Sequence, residues 1–156
     1  MNSCLIRFQF STLDSKDKIK AFIQDFKSKF DIEKVSSVFK RRTNKLSDLY
    51  DLQEFVAKVR TTIPSMELKV KINIQKLNSY NSFKIELLAY DGETKITPQL
   101  TLPHPNLYLD SLILHCSAEI WPEYIHPIYR KTLKTCDLER NIEGLDFLYQ
   151  GKFFLD

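Results

Sequence analysis

Cysteine is scarce in this sequence, and the positions of the few cysteines exclude two common kinds of site. The 156 residues include three cysteines, Cys4, Cys116 and Cys136, which are widely spaced and form no C-x-x-C pair. An odd number at such spacing indicates neither a disulfide framework nor a zinc site. The sequence therefore predicts a protein of the reducing cytoplasm.

Long apolar runs are also missing. No stretch of about 18 apolar residues occurs, so neither a transmembrane helix nor a membrane partner is predicted. Residues 1–10 carry one basic side chain and a short apolar stretch with no small-residue cleavage site, which does not predict a secretory signal. Internal repeats and low-complexity tracts are absent from the sequence as well.

The chain has no large excess of charge of either sign. It carries 23 Lys and Arg against 20 Asp and Glu, a formal net charge of +3. Proteins that bind nucleic acid usually show a clear basic face, so no nucleic-acid partner is predicted. With 43% hydrophobic residues the chain suits one core, and we expect a single domain over residues 1–156, because division would leave two undersized halves.

Alternating and helical patterns predict the elements of the first half. Leu5 to Phe10 alternates as a strand, and Ser11, Thr12 and Asp14 offer capping groups to the helix that follows. The apolar face of that helix is formed by Ile19, Phe22, Ile23, Phe26 and Phe30. Val35 to Phe39 and Leu52 to Ile63 are predicted strands, with a loop from Lys40 to Leu49 between them.

The segment from Met66 to Leu77 fits two structures. Leu68, Val70, Ile72 and Ile74 alternate with polar residues, as in a strand that favours β-branched side chains. Met66, Val70, Ile74 and Leu77 also share one face of a helix, and Pro64 is tolerated in its first turn. The local pattern alone favours the strand, and the helix stays open as the alternative.

The second half predicts a strand at Phe83 to Tyr90, a turn at Asp91-Gly92, and a helix from Leu107 to Trp121 that Pro122 ends. Phe147 to Phe154 predicts either an added edge strand or an exposed partner-binding segment. If Met66 to Leu77 is helical, the order is that of an α+β ferredoxin-like βαββαβ sandwich with a helical C-terminal extension.

One long motif resembles a known enzyme family. The run from Ser82 to Pro127, SFKIELLAYDGETKITPQLTLPHPNLYLDSLILHCSAEIWPEYIHP, resembles the 6-hydroxymethyl-7,8-dihydropterin pyrophosphokinases, which transfer pyrophosphate from ATP to a pterin alcohol. Val35 to Phe39 and Phe55 to Ile63 resemble two further strands of that family. The resemblance implies the ferredoxin-like fold with its extension, and favours the helix for Met66 to Leu77.

The resemblance places a metal site where this sequence departs from the family. The family strand carries Asp-x-Asp, whose carboxylates share one face and can hold two Mg²⁺ ions beside ATP. Here the strand reads Lys84, Ile85, Glu86, so Glu86 is the one carboxylate left to bind metal. Lys84 either pairs with Glu86 or contacts a phosphate directly as a point charge.

Further site residues follow from the same resemblance. On the ATP side, His104 matches a histidine that contacts phosphates, while Asp110 and Asn81 stand where the family has an arginine and another basic residue. Lys40, Arg41 and Arg42, near Lys45, lie in the loop that closes over substrates in the family; they either attract ATP or are simply solvated.

On the pterin side, Leu112 stands where an aromatic ring stacks on the pterin, and Glu54 where an asparagine reads its polar edge. Phe10 stands where a glycine allows close approach, and is either an obstruction beside the substrate or a core residue.

These departures predict a divergent member of the family that is inactive or weak as a pyrophosphokinase. One alternative is a module that binds a nucleotide, a pterin or a protein without catalysis, with the aromatic C-terminal segment as a surface for a partner or for self-association. The other alternative is an active enzyme with compensating residues. Mg²⁺ and ATP are expected as cofactors if the protein is active, and none otherwise.

Overall fold

The computed structural model describes residues 1–42, 51–77 and 84–156. The strands are β1 Asn2–Ser11, β2 Asp31–Val35, β3 Val38–Arg41, β4 Leu52–Thr61, β5 Lys84–Tyr90, β6 Lys95–Ile96, β7 Thr101–Leu102 and β8 Asp146–Tyr149. The helices are α1 Lys16–Lys29, α2 Ser65–Leu77, α3 Asn106–Leu109, α4 Ser111–Ile120 and α5 Leu133–Arg140, followed by a 3₁₀ helix over Gly151–Leu155.

The main sheet is antiparallel and has the strand order β5-β1-β4-β3-β8, with β2 also paired to β4. Strands β1 and β4 pair along their whole length, from Asn2 opposite Thr61 to Ser11 opposite Leu52. This central pair, with β5 outside β1 and β2 and β3 outside β4, confirms the ferredoxin-like prediction.

Side chains of β1 alternate between two differently built faces of the sheet. Ile6, Phe8 and Phe10 point to a core that α1, α2 and the 3₁₀ helix cover. Aromatic rings fill its centre: the Phe8 ring stacks on Phe55 at 5.2 Å and meets Phe26 edge-on at 5.3 Å. Burial of these rings is the main stabilisation of this half of the molecule.

The opposite face is covered by the predicted helical extension. Helices α3, α4 and α5 pack on Leu5, Val56 and Leu88 of the sheet. Further along the same strands, the same face carries Arg7 and Glu54 in place of apolar residues. A row of buried polar groups thus begins where the apolar packing under α4 ends.

Several predicted boundaries differ from the structure for local reasons. Helix α1 is capped by Ser15, whose hydroxyl accepts from the Lys18 N–H at 3.1 Å, and not by the earlier polar residues. The strand predicted at Val35 to Phe39 is two strands, because Ser36 and Ser37 separate β2 from β3. The predicted loop starts later than Lys40, since β3 extends to Arg41; residues 43–50 lie outside the described part of the chain.

Met66 to Leu77 is helical, as the resemblance implied, and the apolar face that the pattern picked out is the exposed one. Leu68 and Ile72 are the buried positions of α2, whereas Met66, Val70 and Ile74 are exposed. The alternation that resembled a strand arises because the exposed apolar residues Val70 and Ile74 each follow one of the buried residues, Leu68 and Ile72, by two positions. The burial of Leu77 lies outside the described residues.

The helix predicted at Leu107 to Trp121 is interrupted at Asp110. This residue ends α3 and caps α4, its Oδ1 accepting from the Leu112 and Ile113 N–H groups at 3.1 and 3.2 Å. Aspartate favours such an N-cap because its side chain satisfies N–H groups that the helix leaves unpaired.

The aromatic C-terminal segment is largely part of the fold. Strand β8 pairs with β3 at the sheet edge, as one of the two predictions had it. The 3₁₀ helix then lies against α1 and places the Phe154 ring in the core, 5.0 Å from the Phe55 ring. Among the described residues no helix is both long and apolar enough to cross a membrane.

Candidate active site

A buried carboxylate organises the polar row on the sheet. The Glu54 side chain is 0% exposed, and its Oε1 accepts from Arg7 Nε at 2.7 Å and from Gln9 Nε2 at 2.6 Å. Its Oε2 accepts from Arg41 Nε at 2.9 Å. A buried charge is tolerated only when it is paired and hydrogen-bonded, and Glu54 satisfies both conditions.

Arg7 links Glu54 to the strand with the altered acidic pair. Residues 7 and 86 are opposite each other on β1 and β5, and Arg7 Nη1 donates to Glu86 Oε1 at 3.1 Å. The other oxygen, Oε2, lies 2.9 Å from His104 Nε2, and Lys84 Nζ is 3.9 Å from Oε1. Glu86 is thus surrounded by positive and hydrogen-donating groups.

The backbone around His104 orients its ring toward Glu86. The Asn106 N–H donates to His104 Nδ1 at 3.1 Å, which leaves Nε2 to carry the proton that faces the carboxylate. The hydrogen bond from His104 lowers the pKa of Glu86 to about 2; burial opposes this shift, and the charges of Arg7 and Lys84 support it. Glu86 is therefore ionised at neutral pH.

Arg41 joins this network to the start of α4. Its Nη2 donates to Asp110 Oδ1 at 2.8 Å, and its guanidinium also holds Glu54. Burial by itself would lower the pKa of Arg41, but the hydrogen bonds to Asp110 and Glu54 raise it above its ordinary value. For the Asp110 carboxyl, burial acts in the other direction and tends to raise the pKa. The hydrogen bonds from Arg41 and from the α4 backbone outweigh burial, so the pKa of Asp110 is lowered.

A cleft of about 320 Å³ opens beside Glu86 and His104, at the outer edge of β5. Ile72, Ile85 and Leu100 provide an apolar wall. Lysine side chains from two elements also line it: Lys69 and Lys76 from α2, and Lys84 from β5. The volume lies near the lower end of the range of about 300 to 1,000 Å³ that is usual for ligand sites.

The structure brings most of the predicted residues into one connected arrangement. Lys84, Glu86 and His104 border the cleft, and Arg7 and Arg41 connect them to Glu54 and Asp110. The predicted pairing of Lys84 with Glu86 is present, although the contact is long. Which ligands these residues bind stays a prediction.

Two predicted positions, Phe10 and Leu112, do not join this arrangement through their side chains. Phe10 lies on the opposite face of the sheet and packs on Phe22 and Phe55, as its core alternative describes. Leu112 belongs to α4 and is buried in the apolar core between that helix and the sheet. Asn81 lies outside the described residues.

Arg7 and Gln9 are site residues that the sequence prediction missed. A signal was available, because both alternate with the apolar residues Ile6, Phe8 and Phe10 and therefore share the second face of β1. Arg41 was predicted to lie in a loop and either to attract ATP or to be solvated, and its ion pairs with Glu54 and Asp110 were not foreseen. Its position beside Glu54 depends on the pairing of β3 with β4, which a local pattern does not reveal.

The side chains do not fit a pair of Mg²⁺ ions bound as the Asp-x-Asp pattern implies. Magnesium requires oxygen ligands, and this strand provides one carboxylate, whose two oxygens already contact Arg7 and His104. Lys84 adds positive charge at the first position. Within the described ranges no group of three or more His, Cys, Asp or Glu side chains is placed to hold a metal.

Comparison with solved structures identifies the class of fold. The Plasmodium falciparum HPPK-DHPS wild type with pteroate superimposes with a TM-score of 0.71 at 12% identity, covering 89% of this chain and 42% of that chain. The wild type with SDX-DHP gives 0.68 at 11% identity, covering 90% and 44%. This chain therefore spans less than half of those solved chains and shares their fold.

Sequence comparison identifies the family. The 2-amino-4-hydroxy-6-hydroxymethyldihydropteridine pyrophosphokinase of Aquifex aeolicus (strain VF5) is 31% identical over an alignment of 140 residues, which covers 84% of this chain and 83% of the relative. No protein-family model matches the chain. On this similarity and the shared fold, the chain belongs to the hydroxymethyldihydropteridine pyrophosphokinase family.

Proposed function

We propose that this chain is a family member that binds a nucleoside polyphosphate such as ATP in the cleft beside β5 and does not transfer pyrophosphate to a pterin. It acts as a binding module, and its cytoplasmic location is part of the same proposal. The three cysteines are free and buried, which suits a reducing compartment.

The observation that carries this proposal is the pair of residues on β5, Lys84 and Glu86, at the two positions where the family pattern has metal-binding aspartates. Phosphoryl transfer depends on positioning and on cations that neutralise charge developing between the phosphates. In this chain a lysine stands at the first acidic position, and Glu86 is engaged by Arg7 and His104. This arrangement favours binding over transfer.

The pterin side of the proposal rests on the ion pairs around Glu54. A residue that reads the polar edge of a ligand must offer it free hydrogen-bonding groups. Both oxygens of Glu54 already accept from Arg7, Gln9 and Arg41, and the side chain is closed to solvent. A pterin would have to break this network and leave buried charges unpaired, at a cost of about 3 to 5 kcal/mol.

The cleft has the mixed character that a nucleotide needs. Its lysines suit a polyphosphate chain, and the small exposed parts of Ile72, Ile85 and Leu100 offer apolar contact to a base. Gln99 adds an uncharged hydrogen-bonding side chain at the same rim. A pterin alone would not use the positive charge.

The test measures binding and turnover on the same preparation. We expect ATP to raise the melting temperature by mass action, and hydroxymethyldihydropterin with ATP and Mg²⁺ to give no pterin-dependent AMP. The Aquifex aeolicus relative serves as the positive control for the assay.

Pterin-dependent AMP that disappears in the Glu86→Ala variant would overturn the proposal in favour of an active enzyme with compensating residues. The absence of any shift in melting temperature with ATP would overturn the binding half of the proposal.

We also infer that two copies of this chain associate through β8. Among the described strands β8 has β3 as its single neighbour and ends the sheet, so its outer edge offers unpaired backbone groups. Phe147 is 52% exposed there, and Leu148 beside it is exposed as well. A second antiparallel copy of the same short strand would pair these groups and cover both side chains.

Sedimentation analysis tests this association. We expect a concentration-dependent dimer that Phe147→Asp abolishes, while the matched change Leu138→Asp, at an exposed position on α5, leaves it intact. Point substitutions are preferable to deletion because Phe154 belongs to the core. A monomer at all concentrations, or a dimer unaffected by Phe147→Asp, would contradict the inference.

A further inference from the structure

We infer that the cleft takes its polyphosphate ligand without divalent cations, with the Lys84 ammonium acting where a metal ion would otherwise neutralise the phosphates. Magnesium should therefore weaken binding. The inference rests on the proposed nucleotide binding and specifies the form of ligand that the site accepts.

Lys84 is placed to reach a phosphate. It is the first residue of β5, at the rim of the cleft, and its side chain is 61% exposed. The 3.9 Å separation from Glu86 makes a weak, screened ion pair. The ammonium group can therefore turn from Glu86 toward an anion at little cost, as a compact charge on a flexible stem.

Helix α2 presents further positive charge to the same space. Lys69 and Lys76 are seven residues apart, with Ile72 and Asn73 between them on the same helical face, and all four line the cleft. Lysines thus face the cavity from both sides. Glu86 is the sole carboxylate among the described residues that line it.

A metal-bound polyphosphate suits this lining poorly. A bound dication cancels part of the negative charge that the lysines attract, and it also adds a positive centre close to Lys84. Magnesium commonly bridges phosphates to one or two protein carboxylates. Glu86 can serve only by giving up Arg7 or His104, which would leave the buried Arg7 short of a partner.

Calorimetric titration at constant ionic strength tests the inference. ATP is titrated in EDTA and in excess MgCl₂, with NaCl added to the EDTA arm so that screening is equal. We expect binding in EDTA to be at least about fivefold tighter, which corresponds to about 1 kcal/mol. Tripolyphosphate, which lacks a base, is titrated alongside to separate the contribution of the phosphates from that of the nucleoside.

Two variants assign the effect to Lys84. We expect Lys84→Asp to reverse the preference, so that ATP binds better with Mg²⁺, and Lys84→Gln to weaken metal-free binding about tenfold. Lys71→Gln is the matched control, because Lys71 lies on α2 away from the cleft lining and pairs with Glu67. Circular dichroism confirms that each variant folds, and Lys69→Gln provides a second change in the lining.

The outcomes separate this inference from the proposed function. Binding that requires Mg²⁺ would overturn the inference and leave nucleotide binding in place. Binding in neither buffer would overturn both. Tripolyphosphate binding as tightly as ATP would support the metal-free polyphosphate site and exclude a role for the nucleoside.

Discussion

At the scale of single residues, Glu54 holds three elements of the sheet together. Arg7 and Gln9 reach it from β1, and Arg41 reaches it from β3. None of these contacts is local in sequence, so the carboxylate acts as a cross-strand link beside the apolar packing under α4.

We expect Glu54→Ala to destabilise the protein by about 3 to 5 kcal/mol, because it leaves the buried Arg7 guanidinium without its main partner. Urea denaturation measures the loss. Arg42→Ala is the control: it removes an exposed ion pair with Asp146, whose loss should cost less than about 1 kcal/mol. Equal losses in the two variants would contradict the importance of burial.

The low pKa of Glu86 predicts a pH dependence of stability. A carboxyl group whose pKa is about 2 when folded and about 4.3 when unfolded stabilises the protein above the unfolded value and loses this contribution as the pH falls toward 2. We expect the free energy of unfolding to be about 1 kcal/mol lower in Glu86→Gln at neutral pH, since partial exposure screens its pairs.

This difference between wild type and Glu86→Gln should shrink as the pH falls from about 4.3 to about 2. Urea denaturation of both proteins across this range measures it. Glu67→Gln, which changes an exposed pair with Lys71, should differ little from wild type at any pH. If the free energies of unfolding of wild type and Glu86→Gln differ by the same amount down to pH 2, ionisation of Glu86 does not stabilise the folded protein in the proposed way.

At the scale of elements, helix α2 shows how packing decides between two sequence patterns. Its exposed residues, Val70 and Ile74, are as apolar as its buried ones. Only the sheet and α1 on one side determine which face is covered.

We expect Leu68→Ala to cost about 2 to 5 kcal/mol, because it leaves a cavity in the core. Val70→Ala, two residues further on and 53% exposed, should change stability by about 0.5 kcal/mol at most. Thermal denaturation of the two variants provides the comparison. A larger loss of stability in Val70→Ala than in Leu68→Ala would mean that the Val70 face of α2, and not the Leu68 face, packs on the core.

The elements also show what a sequence can and cannot reveal. Strands β1, β4 and β5 and helix α1 were predictable because their apolar residues repeat at the right period over many residues. The breaks at Ser36-Ser37 and at Asp110 were not, because each depends on a partner distant in the chain. The serines meet Val56 and Glu119, and Asp110 meets Arg41.

The candidate site was predictable to a similar extent. Motif matching located Lys84, Glu86 and His104, which lie on or next to one strand and border the cleft. It did not reveal that Arg7 and Arg41 neutralise Glu86 and Glu54, because those contacts follow from strand register.

At the scale of the whole molecule, the C-terminal segment fastens one end of the sheet. Gly151 lies so close to the backbone oxygen of Ser36 that a Cβ atom could not be accommodated. The lack of a side chain here lets the 3₁₀ helix approach the junction of β2 and β3 and bring Phe154 into the core.

We expect Gly151→Ala to destabilise the protein by about 1 to 3 kcal/mol, through backbone displacement at this junction. Gly92→Ala is the matched control, since a Cβ there meets nothing within 4 Å. Melting temperatures of both variants measure the difference. Similar melting temperatures would show that the segment can shift without loss of packing.

The position of Phe154 also bears on how the protein is made. Its ring packs against Phe55, almost a hundred residues earlier, and leaves the ribosome after nearly all of the residues of that core. The earlier strands can pair during synthesis, but we expect the packing around Phe55 to be completed only when this ring is available. Maturation of the nascent chain is therefore completed after translation has passed this point.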